Sequence, residues 1–581
     1  ERDQPKSRTA PDADQGAQLY VIRADGGEAR QVTHHEGGIS RYEWAADGAH
    51  LFFVADNPET DAERAARRAG DDAIYVDEGP NGQGPGRFNS LWMVDVADGP
   101  ERRITREPMF IEDFMPSPDG RRIAITFRTE NTRNGSYHTE VALIDVADGS
   151  RQTLTHNEAP EHAVSWSPDG RTIAYLAPDN GDWDLAEDKL WTVPASGGTP
   201  HLVSSTFGGD IGRYFWAPDG QTVVFSGVDR ARGGVYRLDL ASGRVATIAH
   251  GDWSGELDSV SRSRLAGAGV RSAPNAAPDV QLVDLKTGAT TALSDANPQV
   301  RGWTLAQFRA VSWKSRDGRP IEGMLWLPAD YHSGRLPLLL SVHGGPAGVW
   351  ATAFRPIDEV YTGLGWAVLE PNVRGTTSYG DQLLDGNMKD IGGGDYEDLM
   401  TGVDALVAQG IADPDHLAIR GWSYGGVLGG WTITQTGRFK AASLGAMVTD
   451  WRSEYAMGFN FDVSRWYIGG TPWDHPDAYL RQSSYTHVAQ VTTPTILFHG
   501  ERDTTDTIGQ SMMFYQALRD RQVPVRFIRF PREPHGFTEP HHQRIRDAEE
   551  VAWLMKYARG INWKAPDRPL ETTTSTARRE Q

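Results

Sequence analysis

"RGWSYGGVLGG", residues Arg420–Gly430, sets one serine between two glycines and follows it with further small residues. The stretch comes directly after the apolar run "LAIR" and opens a helical pattern, so it reads as a strand, a sharp turn and a helix. A Gly-x-Ser-x-Gly turn in that context lifts its serine clear of a parallel sheet, because the glycines tolerate a strained backbone and let neighbouring chain approach. Ser423 is therefore the candidate nucleophile.

The flanking sequence agrees. "LPLLLSVHGG", "GWAVLEPNVRG", "HLAIRGWS", "TPTILFHGERD" and "VRFIRFPREPHGF" are short apolar runs that end in polar loops. Between them lie helical stretches such as "GGDYEDLMTGVDALVAQG" and "SMMFYQALRDR". Alternating strands and helices imply a parallel sheet covered on both faces, with chemistry at the carboxyl ends of the strands.

A serine hydroxyl needs a base. On such a sheet the order Ser, then Asp, then His is expected. Asp503 in "HGERD" and His535 in "REPHGF" supply it, each just past a strand, with Asp506 as a nearby rival acid. The Tyr424 N–H, next after the serine, and Gly345 in "HGGP" are the candidate oxyanion donors. "HH" at His541 and His542 shows no partner ligands in the sequence, so no metal and no cofactor are expected.

The first half follows another grammar. "EWAADGAHLFFV", "MPSPDGRRIAITF", "SWSPDGRTIAYL" and "FWAPDGQTVVFSG" repeat one phrase, with Asp-Gly steps at Asp47, Asp119, Asp169 and Asp219. A second phrase follows each copy, as in "LWMVDVADG" and "VYRLDLASG", and six copies of it are visible. Each repeat reads as half-buried alternating strands joined by a Pro-Asp-Gly turn. A period of roughly 45–50 residues with several strands is the pattern of propeller blades. The fold expected is an all-β propeller over residues 1–302, its first blade incomplete, and an α/β domain over 303–581 that ends in a polar tail. An insertion between Asp47 and Asp119 starts helical and ends Gly-rich.

Composition bounds the rest. The chain has 581 residues, 39% hydrophobic, with 19 Trp and a net charge of −20. That is ample for two cores, and the acidic balance argues against nucleic acid as a partner. With no cysteine, disulfides, thiolate metal sites and a cysteine nucleophile are excluded. No apolar run approaches a membrane span of about 18 residues, so no membrane insertion is expected. The chain starts at Glu1 without a methionine and is read as processed or trimmed there. Compartment and homo-oligomerisation are left open.

Taken together, the blade repeats, "HGGP", "GWSYGG", "HGERD" and "PREPHGF" resemble the prolyl oligopeptidase family of serine peptidases, and within it the acylaminoacyl and bacterial dipeptidyl peptidases. The resemblance implies a seven-bladed propeller capping an α/β-hydrolase, with the site between them. It implies Ser423, Asp503 and His535 as triad, Gly345 and Tyr424 as oxyanion hole, and His343 with Gly344 as the braced loop. The aromatic segment after the nucleophile, with Trp451, Tyr455 and Trp466, is the implied wall of the specificity pocket. One departure stands out. The family shows Val-Pro a few residues after the triad Asp, where this chain has Asp506 and Thr507. Asp506 then either turns to solvent, pairs with Arg502, or awaits a cationic substrate side chain.

The expected activity is cleavage of short peptides through an acyl-enzyme. An esterase or lipase, and a propeller scaffold with a vestigial site, are the competing readings. Asp71, Asp72, Asp77 and Glu78 in the insertion are candidates for holding a substrate amino terminus.

Overall fold

The computed structural model describes residues 16–71, 73, 88–97, 99–130, 138–157, 159–179, 185–458 and 461–566. Its first part is a succession of antiparallel sheets. A two-stranded sheet comes first, then four sheets of four strands, then one of five. The seven blades implied by resemblance are thus six sheets among the described residues. The Asp-Gly steps sit at the turns between consecutive strands of a blade. Gly120 (φ 71°) and Gly170 (φ 70°) are in the left-handed region, which a side chain disfavours.

Some blade strands are more buried than alternation suggests, whereas Arg232–Asp239 keeps Arg237 exposed and Ala276–Asp284 alternates along its length. In Thr172–Ala177 every residue after Thr172 is buried, and Arg122–Arg128 is buried throughout except at its ends. Blades stack face to face, so an inner strand meets protein on both sides. Ile123, Ile125 and Phe114 pack in one such layer and Ala124, Ile173 and Tyr175 in the next. The insertion begins as the helix Asp61–Ala69, capped by Thr60 and Glu63, and none of its residues is buried.

The second part is one eight-stranded sheet. Its order is Gln307–Lys314, Pro320–Leu327, Ala367–Asn372, Leu336–Val342, Ala412–Trp422, Phe439–Gly445, Thr495–Gly500, Val525–Phe530. The first two strands pair antiparallel and the remaining six run parallel. Leu338, Leu340, Ile419 and Leu444 point to one packed face, while Leu339, Ala418, Ile496 and Phe498 point to the other. Both faces are dry, so the strands read as continuous apolar runs. The molecule is a β-propeller joined to an α/β-hydrolase sheet. The changeover falls between Thr290–Ala292 and Gln307–Lys314.

The two parts are bonded to each other. Glu187, fully buried in the propeller part, accepts hydrogen bonds from the backbone N–H groups of Ser378 (2.7 Å) and Gly380 (3.2 Å). Thr352 N–H donates to the Ala231 carbonyl at 2.8 Å, and Arg232 pairs with Glu322 at 3.3 Å. No helix among the described residues is long and apolar enough to cross a membrane.

Candidate active site

Four of the parallel strands end at the same edge. Ser423 follows Ala412–Trp422, the His343–Gly345 loop follows Leu336–Val342, Asp503 follows Thr495–Gly500, and His535 follows Val525–Phe530. Ser423 has φ 57° and ψ −125° and precedes the helix Tyr424–Gln435. A non-glycine residue in that conformation is strained, and its surroundings hold it there. Its N–H donates to the Gly445 carbonyl at 3.0 Å, and its carbonyl accepts from Val427 at 2.9 Å. A Cβ on Gly421 would lie 2.1 Å from the Gly425 carbonyl oxygen, and one on Gly425 would lie 2.2 Å from that of Val342. Both glycines are required by close backbone approach.

His535 Nδ1 lies 2.9 Å from Asp503 Oδ2. A carboxylate only accepts, so Nδ1 carries the proton and Nε2 is left as a free base. Burial works to lower the His535 pKa, but the hydrogen bond to Asp503 and the acidic neighbours Asp506 and Asp503 outweigh it, and the net direction is up. Asp503 is buried, which would raise its pKa. Hydrogen bonds from His499 and His535 overcome this and hold it below the ordinary value. The Trp422 indole N–H donates to the His535 carbonyl at 2.9 Å and so ties the His535 loop to the serine turn.

The rival acid is placed elsewhere. The Asp506 N–H donates to Asp503 Oδ1 at 3.1 Å and its carbonyl accepts from His499 Nε2 at 2.7 Å. Asp506 lines a cavity beside Ser423. Reading the sequence did not single out His499, which lies inside the apolar strand Thr495–Gly500. It is fully buried, and its Nε2 is also 3.2 Å from Asp503 Oδ2.

The remaining expected residues divide. His343 is buried. Its Nδ1 donates to the Gly344 carbonyl (2.8 Å) and its Nε2 accepts from Thr376 (2.9 Å). Burial pushes its pKa down to about 4, so it is a neutral brace of the loop. A Cβ on Gly344 would lie 3.4 Å from the Ser423 Cβ, so the loop passes close to the serine. Gly345 and Tyr424 both border the cavity. Tyr424 opens its helix, so its N–H has no carbonyl one turn earlier to bond. Its phenol is turned away, bonded to Asp395 and Asn387.

The cavity is about 180 Å³, and Trp451 and Asp506 line it together with Val427, Val448, Glu454 and Tyr467. Tyr455 and Trp466 are not among its lining residues. Tyr455 instead packs on Phe461, Trp473 and Tyr479, and Trp466 packs against the apolar core. The helix carrying Trp451 and Tyr455 is short, Trp451–Met457, and Glu454 is the residue that shares the cavity with Trp451. Asp71 is exposed, and Asp72, Asp77 and Glu78 lie outside the described residues.

His542 does have partners, contrary to expectation. It lies 2.6 Å from Glu533 and 3.5 Å from Glu539. Glu539 is the N-cap residue of the helix Pro540–Arg559, three positions before His542, and Glu533 lies in the loop that precedes it.

Comparison with known proteins adds the chemistry. Residues 353–560 match the prolyl oligopeptidase family. The chain is 29% identical to Uncharacterized peptidase YuxL of Bacillus subtilis, over 91% of this chain and 84% of that protein. It is 24% identical to Dipeptidyl-peptidase 5 of Porphyromonas gingivalis, over 80% of this chain and 69% of that one. The uncomplexed acylaminoacyl peptidase of Pyrococcus horikoshii superposes with a TM-score of 0.78 at 19% identity, covering 95% of this chain and 86% of that one. These relatives are peptidases, which sets aside the esterase and scaffold readings. With that family match over residues 353–560 and those peptidase relatives, the chain is a serine peptidase whose α/β part matches the prolyl oligopeptidase family.

Proposed function

We propose that Ser423, His535 and Asp503 form the catalytic triad of a peptidase that acts on short peptides, of the acylaminoacyl or dipeptidyl type. The observation that carries this reading is the 2.9 Å contact of His535 Nδ1 with Asp503 Oδ2, on a loop that the Trp422 indole ties to the turn holding Ser423 at φ 57°. His535 Nε2 takes the Ser423 proton as Oγ attacks the scissile carbonyl. Asp503 keeps the imidazole in the reactive tautomer and stabilises its charged form. The N–H groups of Tyr424 and Gly345 bind the oxyanion, and loss of one such donor typically lowers kcat by about 10²–10³. His535 then hands the proton to the leaving amine. Water, activated by the same imidazole, hydrolyses the acyl-enzyme.

Restriction to short peptides is supported by the propeller's reach to the site. Leu185, from the propeller part, lines the cavity beside Ser423. Relatives named as a dipeptidyl and an acylaminoacyl peptidase favour cleavage near an amino terminus. The test is a peptide-library digest read by mass spectrometry, with free and acetylated amino termini, in wild type and Ser423→Ala. Cleavage within a few residues of the amino terminus, abolished in Ser423→Ala and matched by fluorophosphonate labelling of wild type alone, is expected. Undiminished cleavage by a folded Ser423→Ala protein sinks the assignment.

A further inference from the structure

The cavity beside Ser423 is smaller than the pockets of about 300 Å³ and more that take whole ligands. At about 180 Å³ it suits one side chain. Trp451, Val427, Val448 and Tyr467 form an apolar wall, which by itself would suit any apolar side chain. Two acidic residues line the same space, Asp506 and Glu454, and their carboxyl groups are close enough to repel when charged.

Two of the three fates open to Asp506 are now closed. It is only 8% exposed, so it does not turn to solvent. Arg502 is exposed, and among the described residues no hydrogen bond or ion pair reaches the Asp506 carboxyl group. The backbone of Asp506 is held on both sides, its N–H by Asp503 and its carbonyl by His499. Glu454 is 6% exposed, and its carboxyl group receives one long hydrogen bond, 3.3 Å from Gln510 Nε2.

Buried carboxyl groups are normally paired. Burial and the neighbouring Glu454 push the Asp506 pKa well above the carboxylate range, and burial with the Asp503 charge pushes Glu454 up to about 8. Two buried acids, opposed only by the His535 charge acting on Asp506, therefore share the cavity into which the substrate's P1 side chain would project, and a cation entering it would draw them toward the ionised form. An apolar P1 residue would leave the Asp506 carboxyl group without a hydrogen-bond partner and Glu454 with only its long bond from Gln510, which a site built to bind a polar group penalises. A guanidinium or ammonium would supply charge-assisted hydrogen bonds, while its methylene stem lies on the aromatic and aliphatic wall.

We propose that this cavity selects peptides with arginine or lysine at P1, the residue whose carbonyl Ser423 attacks, and that Asp506 and Glu454 bind its cationic end. The proposal rests on the reading of Ser423 as nucleophile.

The test compares kcat/KM for amino-blocked coumarin amides of Arg, Lys, norleucine and Phe in wild type, Asp506→Asn and Glu454→Gln. Norleucine matches the lysine stem without its charge. The Arg-to-norleucine ratio is the readout, because any effect of Asp506 on His535 cancels in it. Wild type is expected to favour Arg and Lys by tenfold or more, and the ratio is expected to fall by tenfold or more in at least one variant. Preference for norleucine in wild type, or a ratio unchanged in both variants, overturns the proposal. So does a dependence on these acids only for substrates with a free α-amine, which would make them an amino-terminus anchor.

A second arm separates the pocket from the chemistry: benzamidine binding to Ser423→Ala by calorimetry. Binding that is lost on adding Asp506→Asn supports the cation site, even if wild type cuts nothing and the nucleophile assignment fails. No binding, beside normal cleavage of the norleucine substrate by wild type, sinks the pocket and leaves the nucleophile standing.

Discussion

His499 Nε2 stands 3.2 Å from Asp503 Oδ2, the same oxygen that His535 Nδ1 reaches at 2.9 Å. His499 also donates to the Asp506 carbonyl and contacts Ser511 through Nδ1 at 2.8 Å. One buried imidazole therefore fixes the loop that carries both Asp503 and Asp506. In the proposed triad it touches no reacting atom and acts as a positioning residue.

Replacing it tests that role. A hydrogen bond to a charged group contributes about 1.5–3 kcal/mol, so His499→Leu is expected to lower kcat/KM by roughly tenfold or more. With one donor fewer, Asp503 becomes a stronger acceptor for His535. The acid limb of the pH profile is then expected to move to higher pH, a shift that a merely looser fold would not produce. Steady-state kinetics across pH, with circular dichroism as a fold check, reads both.

The wild-type profile has a definite sign. Only neutral His535 can take the serine proton, and its pKa is raised above the ordinary histidine value of about 6.5. Activity is expected to fall as pH drops through that raised pKa, approaching tenfold per unit for a single proton. Asp503→Asn removes the charge and favours the wrong tautomer, and a loss of about 10⁴ in kcat is expected. A profile flat down to pH 5 would contradict the assignment of His535 as base.

Glu454 gives a stability test. Its folded pKa, about 8, exceeds that of an unfolded glutamate, about 4.3. A raised acid is neutral in the folded protein and ionised in the unfolded one between those two values. Its favourable contribution is full below the lower value and is lost as pH rises through the upper one. Glu454→Gln, which can still accept from Gln510, is expected to raise Tm by a few degrees at pH 8 and to change it little at pH 4. Scanning calorimetry at the two pH values checks it.

The serine turn tolerates no side chain at Gly421, where a Cβ would meet the Gly425 carbonyl oxygen at 2.1 Å. Overpacking of that kind costs about 1–3 kcal/mol. Gly421→Ala is expected to lower Tm and to reduce kcat and fluorophosphonate labelling together, because the turn itself is displaced. Normal labelling in the variant would show that the turn is softer than its geometry implies.

The linkage between the two parts is testable through Glu187. It is the single acceptor for both Ser378 and Gly380. Its other close partner is Lys189, at 2.9 Å. Glu187→Ala strands two N–H groups and a buried ammonium, which costs several kcal/mol. The variant is expected to unfold in two separated steps or at a lower Tm, with disulfide-locked protein substrates cut faster than by wild type. Differential scanning calorimetry and digestion of folded ribonuclease A read the two effects.

Local patterns carried much of this molecule. The Gly-x-Ser-x-Gly turn, the strand-end loops and the Pro-Asp-Gly repeats are each written in a few adjacent residues, because backbone strain and turn chemistry act over that range. They placed Ser423, Asp503 and His535 at strand ends before any tertiary contact was known. Strands such as Thr172–Ala177 and Arg122–Arg128 depart from the half-buried expectation, since alternation marks a strand with one wet face and these two have none. Glu454, Gln510 and His499 had no legible signal. An acid on a short helix, an amide on another helix and a histidine inside an apolar strand each look ordinary where they stand. Only the packing of the segment after the nucleophile against the Asp503 loop brings Glu454 and Asp506 into one cavity, and two dehydrated carboxyl groups are an electrostatic fact about a place, which no single stretch of chain contains.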